Sequence, residues 1–430
     1  MTSYDSHHDA PFSCFTLLTM HQPVADSTSA FDPLILADVL SAKATAANTG
    51  KLDGGGPRSV VAVEDNSTLR QALDELAFSN IKSVPLRAKT TGEILGFFDA
   101  SIGVRVALEA VESDAGPEVE RVALEKLVTD VLDLSLSASG SLSGVRSDGG
   151  SVPFACADLP LRELISEQGY LLFEQHEANA GGGVFVDNSE VHRLCVVEAR
   201  QPTAGETLPG TKQPRWEEII DVMSQMDIVR CLLFVVDTSA NDPTKSVTLK
   251  RALGECVVKH ASQPFLTFQD APVAGVFRQM LDKGIGAACV VQLAKWTVDG
   301  AADHTALRAI DTLSFSDFTS PGIAESKQGV LNETVGSFLD KAKPKSPAVV
   351  YPGLDALGED VCMADAARKM VQQQQHRCWI TNANETPVGV ITCTDVLRCV
   401  ATAISRFEGE DMMRNVMRQA VDGPIVEEAP

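Results

Sequence analysis

Three short motifs place a hydroxyl residue three positions before an aspartate, each at the end of a partly apolar segment. One interpretation is a helix N-terminal cap, in which the hydroxyl and the carboxylate bind the first backbone N–H groups. The other is a ribonucleotide site, where the helix start and hydroxyl bind phosphate and the carboxylate accepts hydrogen bonds from a ribose. Recurrence at one place of a repeated unit favours the second interpretation. The pairs are Ser224/Asp227, Ser314/Asp317 and Thr392/Asp395.

Two His-Arg pairs, His192-Arg193 and His376-Arg377, open apolar segments of similar length. They could be exposed polar residues at two strand starts, which is the ordinary place for such side chains. They could also be cations that face a shared centre, because the planar guanidinium suits phosphate. The two other segments of this kind begin near Lys82, which could act as a point charge, and near Gly286, which could not.

One order of elements positions these residues: strand, helix, strand, strand, helix. In the clearest copy, apolar residues from Met363 to Val371 recur at helical spacing, and strands are predicted at 376–381 and 388–392 before a helix from Asp395. The first copy predicts strands at 59–63, 82–87 and 94–98, with a helix from Leu69. The third predicts a helix from Val273, a strand at 287–293 and a loop at 294–305. The second copy, with 161–165 before its middle strand, is the most irregular.

Segments rich in Gly, Pro, Ser or Thr divide the copies and predict linkers at 137–151, 201–214 and 341–353. An internal repeat of this kind decides the fold, so we predict four units rather than one continuous sheet. The predicted organisation is a flexible arm (1–32), repeats at 33–136, 151–238, 247–322 and 330–408, and a C-terminal tail (409–430).

The repeats resemble cystathionine-β-synthase (CBS) domains. Four in series resemble the gamma regulatory subunit of AMP-activated protein kinase and its fungal and plant relatives. The resemblance covers about residues 33–408 and rests on GVITCTD ending at Asp395, MSQMDIV around Asp227, LSFSDF around Asp317 and the two His-Arg pairs. It implies an α/β fold of four CBS repeats in two tandem pairs (Bateman modules), forming a disc with nucleotide sites at its centre.

The resemblance also implies roles. Ser224, Ser314 and Thr392 would contact phosphate, Asp227, Asp317 and Asp395 would hold ribose, and His192, Arg193, His376 and Arg377 would bind phosphates. The first repeat departs from the pattern, since Asp99 and Ile102 occupy the hydroxyl and carboxylate positions. Isoleucine cannot accept a hydrogen bond. We therefore expect at most three bound nucleotides.

The function that follows from the resemblance is an adenine-nucleotide-sensing regulatory subunit, with AMP, ADP or ATP as regulatory ligands and no other cofactor. The implied partners are the catalytic and beta-type scaffold subunits of a Ser/Thr protein kinase of the AMPK/SNF1 type. The alternative is a free-standing CBS scaffold or regulator of another enzyme, with partly vestigial sites. We expect no enzymatic activity, because no catalytic constellation occurs in the sequence.

Composition and net charge further limit the ligands and compartments that we expect for this chain. The 430 residues carry a net charge of −22, which disfavours binding to nucleic acid or anionic membrane. The ten cysteines form no CxxC pair, so we predict buried reduced thiols rather than a disulfide framework or zinc site. The N-terminal segment does not resemble a signal peptide. We expect the cytoplasm, with the nucleus as a second compartment.

Overall fold

The structure is a computed structural model that describes part of the chain. The described residues are 39–40, 60–79, 81–112, 125–126, 128, 154–157, 165, 193–198, 215–238, 257–258, 263–298, 301–320, 323, 329–342, 348, 350–352, 361–382 and 384–402. The predicted arm and tail, and the predicted linkers at 137–151 and 201–214, lie outside these ranges. None of the helices within them is long and apolar enough to cross a membrane.

Four three-stranded sheets of the same topology account for most of the strands. In each, the first strand is parallel to the second, and the second is antiparallel to the third. We call each sheet with its helices a unit, numbered 1 to 4 along the chain. The strands are β1 (Val63–Glu64), β2 (Ser83–Arg87) and β3 (Ile94–Asp99) in unit 1; β4 (Phe154–Cys156), β5 (Arg193–Val197) and β6 (Ile219–Ser224) in unit 2; β8 (Leu266–Phe268), β9 (Ala287–Val298) and β10 (Ala301–Ser314) in unit 3; and β11 (Val350–Pro352), β13 (Arg377–Thr381) and β14 (Pro387–Thr392) in unit 4. A separate antiparallel pair joins β7 (Val257–Val258) to β12 (Val361–Cys362).

The helices are amphipathic and bury one face against these sheets. Unit 1 contains α1 and α2, unit 2 contains α3, unit 3 contains α4, and unit 4 contains α6 and α7, while α5 follows unit 3. The apolar faces predicted from spacing are confirmed in α1 and α6, which bury Leu69, Leu76, Met363 and Met370, among others. The bounds are α1 (Leu69–Ser79), α2 (Ala100–Glu112), α3 (Gln225–Thr238), α4 (Val273–Asp282), α5 (Val335–Ala342), α6 (Met363–Gln372) and α7 (393–402).

Register explains how the motif residues come together. The first residue of each middle strand lies opposite the last residue of the third strand, which leads directly into a helix. The opposed pairs are Ser83 and Asp99, Arg193 and Ser224, Ala287 and Ser314, and Arg377 and Thr392. The same end of every sheet therefore carries a middle-strand start beside a helix start.

Four buried clusters connect the units. The helices of units 1 and 3 share one apolar core, and those of units 2 and 4 share another. The sheets of units 1 and 2 meet through Phe97 and Cys195, and those of units 3 and 4 through Val291 and Trp379. This packing is consistent with two tandem pairs, 1–2 and 3–4. The α/β fold class is confirmed, whereas four CBS repeats and a disc-like outline stay predictions.

The predicted loop at 294–305 is wrong, because β9 and β10 continue through it as an antiparallel hairpin that pairs His304 with Trp296. Trp296, Thr297 and Val298 are residue types that favour strands, and pairing with the opposite strand continues the hairpin through the segment that we predicted as a loop. The motif at Ser314 also begins a 3-10 helix, Phe315–Thr319, rather than an α-helix.

Two predictions of strand and linker positions also need correction. The first strand of unit 4 is β11, inside the segment predicted as a linker at 341–353, and α5 ends there as well. A proline at the end of an edge strand is tolerated, so Pro352 does not prevent pairing. In unit 1 the strand predicted at 59–63 is replaced by the shorter β1. The first strand of unit 2 is β4, and of the segment predicted at 161–165 only Ile165, which is helical, lies within the described residues.

The prediction of reduced cysteines fails at one position. Cys399 in α7 is disulfide-bonded, and its partner is outside the side chains that the structure describes. Sequence spacing could not identify this bond, because pairing depends on the distance and direction of two Cβ atoms in the folded chain. Five other cysteines are buried thiols: Cys195, Cys231, Cys289, Cys378 and Cys393.

Candidate functional site

The three hydroxyl–aspartate motifs have nearly the same geometry. In unit 4, Thr392 N and Thr392 Oγ1 donate to Asp395 Oδ2 at 2.7 and 2.8 Å. In unit 2, Ser224 N and Ser224 Oγ donate to Asp227 Oδ2 at 3.0 and 2.7 Å. The equivalent distances from Ser314 to Asp317 in unit 3 are 2.7 and 3.1 Å.

These contacts are those of a helix cap, so the capping interpretation is correct as far as local structure goes. The reciprocal bond is also present, since Asp395 N donates to Thr392 Oγ1 and Asp227 N donates to Ser224 Oγ, both at 3.3 Å. Capping does not exclude ligand binding, because a carboxylate offers about four lone-pair positions. The cap fixes the orientation of the aspartate carboxylate.

Unit 1 lacks this motif, as the sequence predicts. Asp99, opposite Ser83, accepts hydrogen bonds from Ser101 N at 2.8 Å and Ser101 Oγ at 2.5 Å. Ile102, at the position of the motif aspartate, is 2 % exposed and belongs to the core shared with unit 3. Unit 1 therefore has a carboxylate at the hydroxyl position and an apolar core residue at the carboxylate position.

The two arginines of the His-Arg pairs reach into the neighbouring unit of their tandem pair. Arg193 at the start of β5 donates through Nη1 to Ser83 Oγ of unit 1. Arg377 at the start of β13 lies beside unit 3, where a Cβ atom built on Gly286 would be 3.4 Å from its Nη2. Each guanidinium thus meets the middle-strand start of the preceding unit, one at Ser83 and one at Gly286.

Lys82 joins these arginines at the same centre. Burial, together with the charges of Arg377 and Arg193, lowers the pKa of Lys82 to about 8. Burial also lowers the pKa of Arg377 to about 10, and the negative charge of Asp317 opposes this change. Cations from units 1, 2 and 4 therefore face one partly buried region, which we call the central cationic cluster (Lys82, Arg193, Arg377).

His376 lies next to this cluster but is not a cation at neutral pH. Burial and the charges of Lys82, Arg193, Arg377 and Arg230 lower its pKa well below the usual value. A neutral imidazole offers one donor and one acceptor to a ligand. His192, the other predicted histidine, lies outside the described residues.

Sequence reasoning did not find two further features of the site. Arg230 contacts Asp227 at 3.5 Å, one helical turn after the motif, and that spacing was visible in the sequence. Thr394 Oγ1 donates to Gln225 Oε1 at 2.9 Å in a buried contact that joins the helix starts of units 4 and 2. Nothing in the sequence pairs two residues 169 positions apart. Among the described residues, no group of three His, Cys, Asp or Glu side chains could hold a metal ion.

Comparisons with known proteins were made for both sequence and structure. A solved structure from Methanocaldococcus jannaschii, described as a candidate archaeal homologue of γ-AMPK, is 13% identical over 80% of this chain and 96% of that chain, with a TM-score of 0.46. An uncharacterised conserved protein from Pyrococcus horikoshii is 12% identical over 80% and 96%, with a TM-score of 0.36. A CBS domain protein from Pyrobaculum aerophilum, solved with AMP, is 17% identical over 32% and 85%, with a TM-score of 0.22. No curated protein matches the chain.

The family comparison identifies part of unit 4. The CBS domain family matches residues 363–402, which run from the start of α6 through β13 and β14 to the end of the described part of α7. This segment contains His376, Arg377, Thr392 and Asp395. The chain therefore contains a CBS domain at residues 363–402.

Proposed function

We propose that the protein senses adenine nucleotides, with phosphates bound at the central cationic cluster and riboses held by Asp227, Asp317 and Asp395. The observation that carries this proposal is the convergence of Lys82, Arg193 and Arg377 from three units in a chain of net charge −22. Partly buried like charges repel one another, and a phosphate placed among them would relieve that repulsion.

The cluster also suggests how a nucleotide would change the protein. A phosphate bound there contacts side chains of several units, whereas the ribose is held within one. Its binding would favour the arrangement in which those units are close together. The protein can report nucleotide only if this arrangement binds it more tightly than the alternatives.

Regulation of a Ser/Thr kinase is the finer form of this proposal, and its support is the motif resemblance alone. In this form the chain has no activity of its own and acts through catalytic and beta-type scaffold subunits. Unit 1 favours a second candidate, a free-standing CBS regulator of another enzyme or transporter with partly vestigial sites, because Asp99 and Ile102 remove one site.

Isothermal calorimetry with AMP, ADP, ATP and adenosine tests nucleotide binding. We expect at most three nucleotides per chain, with AMP bound more tightly than adenosine because only AMP meets the cluster. Four nucleotides per chain would contradict the account of unit 1. No binding of any of the four ligands would remove the proposed function.

Affinity purification from the source cells with mass spectrometry tests the partner. Reproducible recovery of a Ser/Thr kinase catalytic subunit supports the kinase proposal. Recovery of a different enzyme or transporter, without a kinase, favours the second candidate.

A further inference from the structure

Asp99 places a negative charge where the other three units have a hydroxyl. The register gives this equivalence directly, since Asp99 lies opposite Ser83 as Ser314 lies opposite Ala287. Each of these residues is the last of its third strand and precedes a helical turn. In the nucleotide-binding interpretation this is the position that faces a phosphate.

Arg193 brings the complementary charge to Asp99. Its guanidinium donates to Ser83 Oγ, and Ser83 is the residue directly across the ladder from Asp99. The electrostatic attraction of Asp99 opposes the lowering of the pKa of Arg193 that burial causes, and Asp227 acts in the same direction. The corresponding arginine in the other pair, Arg377, lies beside Gly286, which directly precedes Ala287, the residue opposite Ser314 in the ladder. Its attraction is to Asp317 instead.

We propose that the Asp99 carboxylate is a built-in anion that takes the place of a phosphate in unit 1 and competes with ligand phosphates for Arg193. Unit 1 is then more than a degenerate site: it sets how strongly the central cationic cluster binds anions. The adenine-nucleotide identity of the ligand rests on the proposed function, whereas the competition for Arg193 concerns any phosphate.

The competition predicts a gain on removing the charge. A carboxylate near the cluster repels an incoming phosphate and screens Arg193 from it, and both effects disappear in Asp99→Asn. The amide oxygen of asparagine can still accept the bonds from Ser101 N and Ser101 Oγ, so the helix start keeps its cap. We expect about tenfold tighter binding of phosphate-bearing ligands at low salt.

Inorganic pyrophosphate is the probe, because it has the charge of a nucleotide tail without the nucleoside. The dissociation constants of pyrophosphate, AMP and adenosine are measured by calorimetry for the parent, Asp99→Asn and Asp99→Ser. The matched control is Asp311→Asn, which removes the same unit of charge from an aspartate that accepts a bond from the adjacent Thr312 N, three residues before Ser314. Asp99→Ser restores the hydroxyl of the other units and checks that the gain does not depend on the amide.

Both Asp99 variants are expected to bind pyrophosphate and AMP about tenfold more tightly than the parent, with adenosine unchanged and Asp311→Asn within about twofold of the parent. Unchanged or weaker pyrophosphate binding in both Asp99 variants overturns the proposal, as does an equal gain in Asp311→Asn. The dissociation constants of AMP and adenosine report separately on the proposed function. If the parent binds pyrophosphate but neither AMP nor adenosine, the nucleotide proposal fails while the pyrophosphate result still decides the role of Asp99.

Discussion

The two tandem pairs place an arginine in the same way and surround it differently. In pair 3–4, Arg377 meets a unit whose strand end carries Ser314, with Asp317 one turn later. In pair 1–2, Arg193 meets a unit in which the acid stands at the strand end, as Asp99, and the position one turn later is Ile102. In the proposed arrangement, moving a carboxylate by three residues replaces a phosphate-binding position with one that already contains an anion.

The helix starts differ as well. Between units 2 and 4 they are joined by the buried hydrogen bond from Thr394 to Gln225. Between units 1 and 3 the corresponding contact is apolar, with Ile102 of unit 1 and Phe318 of unit 3 in one core. Apolar contacts tolerate small shifts, whereas a buried hydrogen bond fixes distance and direction. The helix starts of units 2 and 4 are therefore connected more specifically than those of units 1 and 3.

The largest expected effect concerns the ribose acceptors, which distinguish units 3 and 4 from unit 1. Asp317→Ala and Asp395→Ala each remove a charged acceptor for two ribose hydroxyls. We expect about 1.5–3 kcal/mol of lost binding, or about 10–150-fold, for adenosine and AMP alike. Calorimetry on both ligands measures it, with Asp311→Ala as the control on the strand before Ser314. Parent-like binding in both variants would reduce these aspartates to helix caps.

Substitution of the two arginines of the His-Arg pairs, Arg193 and Arg377, should weaken AMP binding to different extents. Arg377→Gln removes a cation beside unit 3, whose third strand ends at a neutral serine, so AMP binding should weaken by about 10–100-fold while adenosine binding changes little. The loss of AMP affinity in Arg193→Gln should be several-fold smaller, because the negative charge of Asp99 already partly neutralises Arg193. The difference between AMP and adenosine affinities in the two variants is the measurement. Equal losses would mean that the two pairs are electrostatically alike.

A consequence of this asymmetry is that the two arginines respond differently to salt. In the parent, AMP binding should weaken with ionic strength more steeply than adenosine binding, because salt screens the attraction between the partly buried cluster and an incoming phosphate. Arg377→Gln should reduce that slope more than Arg193→Gln does. A slope that neither substitution alters would place the phosphate elsewhere.

How much of this the sequence predicted depends on whether the information was local. The helix faces of α1 and α6 follow from spacing within a dozen residues, and the departure at Asp99 and Ile102 was visible from alignment of the repeats. The hairpin of β9 and β10 was missed because pairing across strands, rather than local composition, decided it. The segment of β11 was assigned to a linker for the same reason.

The candidate functional site shows the same distinction between features that are local in sequence and features that depend on the folded chain. Sequence comparison of the repeats aligned Arg377 with Arg193 and Thr392 with Ser224. The register that sets Arg377 opposite Thr392 came from the structure. The neutral state of His376 could not be predicted, because its pKa depends on burial and on cations from several units. The bond between Thr394 and Gln225 depends on the packing of two helices far apart in sequence.

The hydrogen bond from Thr394 to Gln225 has a smaller expected effect, which concerns the free energy of unfolding rather than nucleotide binding. Thr394→Val keeps the shape of the side chain but leaves Gln225 Oε1 without this donor. We expect a loss of about 1 kcal/mol in the free energy of unfolding. The control is Thr402→Val, since Thr402 Oγ1 donates to Arg398 O within its own helix. Urea unfolding of both variants provides the comparison, and an equal effect would mean that the bond contributes nothing specific to the contact between units 2 and 4.

The smallest effect is a pH dependence that comes from Lys82 of the central cationic cluster, whose pKa lies near neutrality. With a pKa of about 8, its amine is mostly charged at pH 7 and half charged at pH 8, whereas the second ionisation of a phosphate is complete above about pH 7. AMP affinity should therefore fall by about twofold between pH 7 and pH 8. Adenosine affinity should stay constant over the same range, because adenosine carries no phosphate.

With rising pH, the free energy of unfolding should increase, whereas AMP affinity decreases. The pKa of Lys82 is lower in the folded protein than its ordinary value of 10.5, so the unfolded chain binds the proton more tightly. Its contribution to the free energy of unfolding thus rises as pH increases from about 8 towards about 10.5, while AMP affinity falls. Cys393, which faces the same amine, has its pKa raised by burial to about 12 and stays neutral in this window. Lys82→Arg should remove the pH dependence and keep AMP binding, and Lys82→Met should remove both, as measured by calorimetry at pH 7 and pH 8. If the parent and Lys82→Met lost AMP affinity equally between these two pH values, the titrating group would be another residue, and Lys82 would not belong to the phosphate-binding cluster.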